Sequence, residues 1–171
     1  MDIDRKINST PLTEAFNFFH EKDKALHGLK GILSGVVADK QLNEKEFLFL
    51  DAWLKSQQFL AQDSDALDIL RRVGDILEDG QVRSDELRLM QARILEIIAE
   101  KAVPARNRSS QMEELLGFVT GVASDGVLND DEILALSDWL ENNAEIHNIW
   151  PATIIGSRLA TILDDGIITD E

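Results

Sequence analysis

Apolar residues recur along most of the chain at spacings of three and four positions, which is the period of an α-helix. One such stripe is formed by Ile133, Leu136, Trp139 and Leu140, with acidic residues on the opposite side of the predicted helix. A second stripe runs through residues 87–98. The β-branched residues are scattered and form no clean alternation of apolar and polar positions, which disfavours strands. The pattern predicts an all-α fold.

Helix boundaries are indicated by polar residues and prolines. Thr10 followed by Pro11 is typical of a helix start, with the threonine as N-cap and the proline at the first helical position. The segment KAVPARNRSS, residues 101–110, is basic and has no helical period. The predicted organisation is a first helical unit with an N-terminal helix (1–100), a linker (101–111) and a second unit (112–171).

The two predicted units are copies of each other. Shifting the chain by 86 positions aligns residues 26–85 with residues 112–171 without a gap, and 19 of the 60 aligned pairs are identical. Such self-similarity indicates a duplication. The identical pairs include Gly31/Gly117, Gly35/Gly121, Asp39/Asp125, Leu42/Leu128, Asn43/Asn129, Glu46/Glu132, Trp53/Trp139 and Asp79/Asp165.

A weaker repeat at an offset of 40 lies inside each unit, where ADKQLNEKE aligns with EDGQVRSDE. It predicts two helix–loop–helix corners in each unit, and each corner resembles an EF-hand without calcium. The corner motif comprises Asp39, Asn43, Glu46, Asp79, Gly80, Glu86, Asp125, Gly126, Asn129, Glu132, Asp165 and Gly166. The repeat requires a further helix after residue 171, so we expect either a longer parent chain or a second unit that lacks its last helix.

Calcium binding by these corners is disfavoured by their ligand positions. An EF-hand loop requires oxygen ligands at positions 1, 3 and 5 and a glycine at position 6. When Gly126 is placed at position 6, positions 1 and 3 are Gly121 and Ala123, which have no side-chain oxygen. The second corner has Asp75, Asp79 and Glu86, and we keep these as weak metal candidates although Arg83 falls at a ligand position.

Helix capping explains the same residues. Gly126 can end one helix in the left-handed conformation, and Leu128 is expected to pack under the turn. Asn129 can then cap the next helix, with Glu132 completing an Asn-x-x-Glu capping box. The capping interpretation therefore predicts corners that turn the chain and bind no metal.

Segments 31–35 and 117–121 each begin and end with glycine. Two glycines one helical turn apart leave a shallow groove for another helix or for a bulky side chain. Trp53 and Trp139 are the expected occupants, as core residues of the two units. The alternative is a ligand pocket lined by these tryptophans.

Charge is distributed unevenly along the chain. Residues 112–171 contain 13 Asp and Glu residues and a single base, Arg158. This acidity disfavours direct nucleic-acid binding by the second unit and predicts a basic protein partner. The chain has no cysteine, which excludes disulfides and thiolate sites. Its apolar runs are shorter than the roughly 20 residues that span a bilayer, so we expect a cytoplasmic protein without membrane contact.

The remaining residues form no recognisable catalytic motif. His20, His27 and His147 have no HExxH context, and the sequence contains neither GxSxG nor a phosphate-binding glycine loop. We therefore expect no enzymatic activity and no cofactor. The enzyme alternative would require a pocket at Trp53 and Trp139 flanked by Asp39 and Asp125.

The segment 31–54 fits the pattern GxxxGVxADxxLNxxExxxLxxWL. This pattern resembles the TerB-like group of acidic all-helical domains, named after a tellurite-resistance protein, and the N-terminal regions of uncharacterised bacterial proteins that carry a BRCT domain further on. The resemblance covers residues 26–85 and 112–171. It implies stress response, phage defence or metal- or membrane-linked signalling, and it implies no catalytic residue.

The function predicted from these observations is a non-catalytic interaction or regulatory module, in stress response or DNA-linked assembly, that binds a protein partner. A divalent-cation sensor is one alternative, and a part of a longer protein related to DNA repair is another. The apolar face of Ile155, Leu159, Ile162 and Leu163 lacks a neighbour if the last helix is absent, which makes a homodimer a further expectation.

Overall fold

The structure is a computed structural model that describes residues 11–100 and 107–165. All regular secondary structure in these two ranges is helical, which confirms the all-α prediction for them. None of the helices in these ranges is long and apolar enough to cross a membrane. The helices are α1 (Pro11–Val36), α2 (Glu44–Ser56), α3 (Ser64–Leu77), α4 (Ser84–Glu100), α5 (Arg108–Val122), α6 (Asp130–Glu141) and α7 (Ala152–Asp165), with short 3₁₀ turns at Gln58–Leu60, Ala123–Asp125 and Ala144–Ile146.

One helix starts where the sequence predicts, and another starts inside the predicted linker. Helix α1 begins at Pro11 as expected, while its predicted cap, Thr10, lies outside the described residues. Helix α5 begins at Arg108, within the segment assigned to the linker. The cause is Asn107, whose side chain accepts a hydrogen bond of 2.8 Å from the backbone N–H of Ser110. Residues 108–111 are therefore helical.

The apolar stripes form two buried clusters. The first belongs to helices α1–α4, hereafter the first half, and includes Leu29, Leu50, Ile69 and Ile94. The second belongs to helices α5–α7, the second half, and is built around residues such as Leu115. Trp53 and Trp139 are only half-buried, and each packs against the cluster of its own half.

The two halves are joined where α1 crosses α5 at their glycines. A Cβ atom on Gly31 would lie 2.0 Å from the carbonyl oxygen of Glu114, and one on Gly35 would lie 2.3 Å from that of Phe118. The glycines of α5 show the same closeness, since a Cβ on Gly117 would lie 2.4 Å from the carbonyl oxygen of Gly28. Backbone therefore contacts backbone, with no room for a side chain.

This crossing corrects one expectation. The glycine grooves of the two copies are filled by each other's helix, so the prediction that Trp53 and Trp139 occupy them is wrong. The sequence repeat explains why both copies keep the glycines. Each glycine helix serves as the partner of the other, so a Cβ in either copy would push the helices apart.

Replacing Gly35 by alanine is expected to destabilise the fold by about 1–3 kcal/mol, because the cost of overpacking exceeds the gain of about 1 kcal/mol in helix propensity. Gly74→Ala in α3 is the matched control, since a Cβ there would meet nothing within 4 Å. The control should be neutral or stabilising. Urea unfolding of both variants measures the difference, and equal changes in stability would contradict the close crossing.

Candidate functional site

The loops that precede α2 and α6 meet between the two halves. The side-chain N–H of Asn43 donates to Asp125 Oδ2 at 2.9 Å, and that of Asn129 donates to Asp39 Oδ2 at 3.2 Å. The two bonds are equivalent under the sequence repeat, so the contact is reciprocal. Hereafter the inter-loop cluster denotes Asp39, Asn43, Glu46, Asp125, Asn129 and Glu132.

Each loop is shaped by its aspartate and by a left-handed residue. Asp39 Oδ1 accepts from the backbone N–H of Gln41 at 2.9 Å, and Asp125 Oδ1 accepts from that of Val127 at 2.8 Å. Gly126 has a φ of +80°, which glycine adopts without steric cost. In the first loop Lys40 has a φ of +63°, at a cost of roughly 1–2 kcal/mol. The turn is therefore kept in both copies, although only one has the glycine.

Both asparagines cap the helix that follows them. Asn43 Oδ1 accepts from the backbone N–H of Glu46 at 3.0 Å, and Glu46 Oε2 accepts from the backbone N–H of Asn43 at 2.8 Å. Asn129 and Glu132 form the same box at 3.0 and 2.9 Å. Each asparagine therefore uses its amide oxygen to cap its own helix and its amide nitrogen to reach the other half.

The two glutamates are buried among other carboxylates. Each is 1% exposed. Burial, together with the charges of Asp39, Asp125 and Glu132, raises the pKa of Glu46 to about 7 against the lowering effect of the Asn43 hydrogen bond. Burial likewise raises the pKa of Glu132 to about 6. The inter-loop cluster thus contains two carboxyls that take up protons close to neutral pH.

Basic groups contribute little to this cluster. Lys45 Nζ donates to the backbone oxygen of Asp125 at 3.3 Å, and its bond is to the carbonyl rather than to a carboxylate. Throughout the described ranges, no group of three or more His, Cys, Asp or Glu residues has an arrangement that could hold a metal ion. The geometry of the cluster fits proton binding and helix capping.

The second corner of the first half is separate from the inter-loop cluster. Asp79 Oδ1 accepts from the backbone N–H of Gln81 at 2.9 Å, and Gly80 is left-handed with a φ of +72°. The Arg83 guanidinium binds the carboxylates of both Asp79 and Glu86. The Gln81 hydrogen bond, followed by the charge of Arg83, lowers the pKa of Asp79. An arginine therefore stands between two of the three weak metal candidates.

The third weak candidate, Asp75, lies beside a different arginine, since Arg71 Nη1 is 3.6 Å from its carboxylate. The fourth corner falls at the limit of the description. Helix α7 ends at Asp165, and both the side chain of Asp165 and the whole of Gly166 lie outside the described residues.

An ion pair beside the glycine crossing, in which only the carboxylate is buried, had no signal in the sequence. Glu114 on α5 is 6% exposed, and Lys30 Nζ on α1 lies 3.0 Å from its carboxylate. The indole N–H of Trp139 donates to the same carboxylate at 3.4 Å. The repeat could not indicate this group, because the position equivalent to Glu114 in the first copy is Gly28.

The capping interpretation is wrong in one detail, which is the burial of Leu128. Its side chain is 42% exposed, whereas that of its counterpart Leu42 is 6% exposed. The prediction that Leu128 packs under the turn is therefore wrong, although it holds for Leu42. Helix α4 covers the first half, and the described part of the second half contains no counterpart of it.

No protein-family model, curated protein or solved structure matches this chain. The assignment of function therefore depends on the geometry and charges of the chain itself.

The free energy of unfolding is expected to fall as the pH rises from about 4.5 to about 7, because Glu46 holds its proton over this range only in the folded chain. Glu46→Gln keeps an oxygen for the cap and removes the titration. In this variant the slope of the unfolding free energy against pH should be smaller, by an amount that corresponds to up to about one bound proton. Urea unfolding at several pH values measures it. Glu86→Gln changes an equivalent capping residue outside the cluster, so a flattened profile in that control would contradict the assignment to Glu46.

Asn43→Asp is expected to destabilise the chain by about 1–3 kcal/mol at pH 8, because the new carboxylate can still cap α2 but places an acceptor where Asp125 needs a donor. The matched control is Asn107→Asp, where the residue caps α5 alone and a negative charge favours the helix N-terminus. Thermal or urea unfolding compares the two. A similar loss in both variants would show that the contact between the loops contributes no stability.

Proposed function

We propose that this protein is a non-catalytic interaction module that binds a basic protein partner through its second half. In this proposal the halves are related units whose EF-hand-like corners turn the chain without calcium. The observation that carries the proposal is how few of the exposed acids in the second half are paired with a base of the chain. Exposed carboxylates of the second half are Asp130, Asp131, Asp138, Glu141, Glu145 and Asp164.

Several exposed acids of the first half pair with arginines of the same half, as Asp75 does with Arg71 and Glu96 with Arg93, and so does the half-buried Asp68. Asp68 binds Arg93 at 2.8 Å and Arg72 at 3.1 Å, and the hydrogen bond from Arg93 is the main reason that its pKa falls to about 2. By contrast, none of the six exposed acids of the second half forms an ion pair with a base among the described residues. The second half therefore presents uncompensated negative charge.

Uncompensated charge of one sign favours encounter with a partner of the opposite sign and disfavours phosphate backbones. The two buried glutamates support a binding role rather than catalysis, because their carboxylates are engaged in capping their helices. The resemblance to TerB-like domains and to the regions that precede BRCT domains suggests stress response or DNA-linked assembly as the setting.

Selection from a displayed peptide library tests the proposal. The intact chain should enrich basic peptides, and the triple variant Asp138→Asn, Glu141→Gln, Asp164→Asn should bind the enriched peptides roughly tenfold more weakly, since each exposed ion pair contributes about 0.2–1 kcal/mol. Two of these acids lie at the C-terminal ends of α6 and α7, where a negative charge is unfavourable, so their removal leaves the helices stable.

The matched control removes three exposed acids from the first half, as Glu44→Gln, Glu78→Gln and Asp85→Asn. This control changes the net charge of the chain by the same amount. It should retain binding of the enriched peptides within about twofold, because the binding charge belongs to the second half. No enrichment of basic peptides, or an equal loss in both triple variants, would contradict the proposed function.

A further inference from the structure

A groove between α6 and α7 shares no residue with the inter-loop cluster. Its volume is about 390 Å³. Leu140, Ala152 and Leu159 line the groove and are buried, whereas Ala160 and Leu163 line it and are exposed. Hereafter the α6/α7 groove denotes the surface that these residues line.

The space in the groove comes from a glycine. Gly156 lines the groove, and a Cβ atom on it would meet nothing within 4 Å. Its counterpart in the first half is Leu70, which packs against the first cluster. The second half therefore lacks the leucine side chain that the first half supplies from its own helix. A side chain of similar size from another molecule can take that place.

This groove is not the surface that α4 covers in the first half. Arg93 of α4 lies 2.8 Å from Asp68 and 3.8 Å from Asp65, which are both on α3. The counterparts of these aspartates are Ile154 and Pro151, and neither lines the groove. A further helix in the place equivalent to that of α4 would therefore contact a different side of the second half and leave the groove open.

Exposed acids surround the groove. Glu141 lines it and is the last residue of α6, where the helix dipole adds negative potential. Asp138 is three residues before Glu141, and Asp164 is four residues after Ala160. Residues at these spacings are neighbours on the surface of a helix. All three acids belong to the exposed, unpaired acids of the second half named above.

Among the described residues that line the groove there is no lysine or arginine, and the only ionisable residue besides Glu141 is His147. Arg158 on α7 is two residues from both Gly156 and Ala160. Side chains at that spacing point to roughly opposite sides of a helix, so Arg158 faces away from the groove. The groove thus combines apolar walls with a negative rim, which favours an apolar side chain carried between basic residues.

We propose that the α6/α7 groove binds an aliphatic side chain of the basic protein partner, while basic residues on either side of it face the acids at the rim. This inference rests on the proposed function, because it specifies where and how the partner is bound. The bound side chain takes the place that Leu70 has in the first half.

The probes are two labelled synthetic peptides, KKLKK and KKAKK, which differ only in the central side chain. Their fluorescence anisotropy is followed as the intact chain is added. KKLKK should bind about tenfold more tightly than KKAKK, because the groove removes the larger apolar side chain from water. A neutral peptide, QQLQQ, should bind roughly tenfold more weakly than KKLKK, since it lacks the charges that meet the rim.

Gly156→Leu tests the location of binding without changing any charge. The new side chain occupies the groove from within, and leucine favours a helix more than glycine does. The preference for KKLKK over KKAKK should fall below about twofold. Gly74→Leu on α3 is the matched control, because this glycine is exposed and a Cβ there would also meet nothing within 4 Å. The control should keep the preference. Ala160→Leu serves as a second filling variant if Gly156→Leu fails to fold.

Four results would overturn the inference. KKLKK fails to bind, or it binds no more tightly than KKAKK or QQLQQ, or Gly156→Leu and Gly74→Leu affect the preference equally, or sedimentation shows that the chain alone is a dimer that Gly156→Leu dissociates. In each case, enrichment of basic peptides in the display experiment would leave the proposed function intact. Loss of that enrichment as well would remove both.

Discussion

The backbone contact between α1 and α5 is the constraint on which the remaining structure depends. Glycines in both helices allow the helices to approach so closely that a Cβ on Gly35 would lie 2.9 Å from the Cα of Gly121. At this distance the loops at the ends of the two helices are also brought together, and the side chains of Asn43 and Asn129 can reach the opposite aspartates. A wider crossing would separate these partners and open the buried carboxyls to water.

Burial of those carboxyls is the electrostatic cost of the close crossing. Four acids, of which Glu46 and Glu132 are the most buried, lie near one another where the halves meet. The asparagine amides offset part of the cost, because they donate to the aspartates while their oxygens cap the helices. Protonation removes the charge that burial disfavours, and it becomes favourable near pH 7 for Glu46 and near pH 6 for Glu132. Structure and proton binding are therefore coupled at the inter-loop cluster.

Local patterns in the sequence predicted the helical fold and the residues that form the corners, because helical period and capping depend on residues within about one turn. Contacts between the copies could not be read in this way. The Asn-x-x-Glu pattern indicates how Asn43 caps α2 but not that its nitrogen binds Asp125. Paired glycines indicated a close approach, yet not that each copy supplies the helix for the other. Glu114 gave no signal, since its counterpart is a glycine.

The glycine crossing also has a kinetic consequence. The helices that meet there contribute residues such as Gly35 and Gly121, which are separated by 86 positions along the chain. Closing so long a loop is slow compared with forming the helices or the local contacts of each half. We therefore expect the crossing to form late in folding, after the helices themselves. The pairing of two glycine helices thus resembles the contact between two subunits, although both helices belong to one chain.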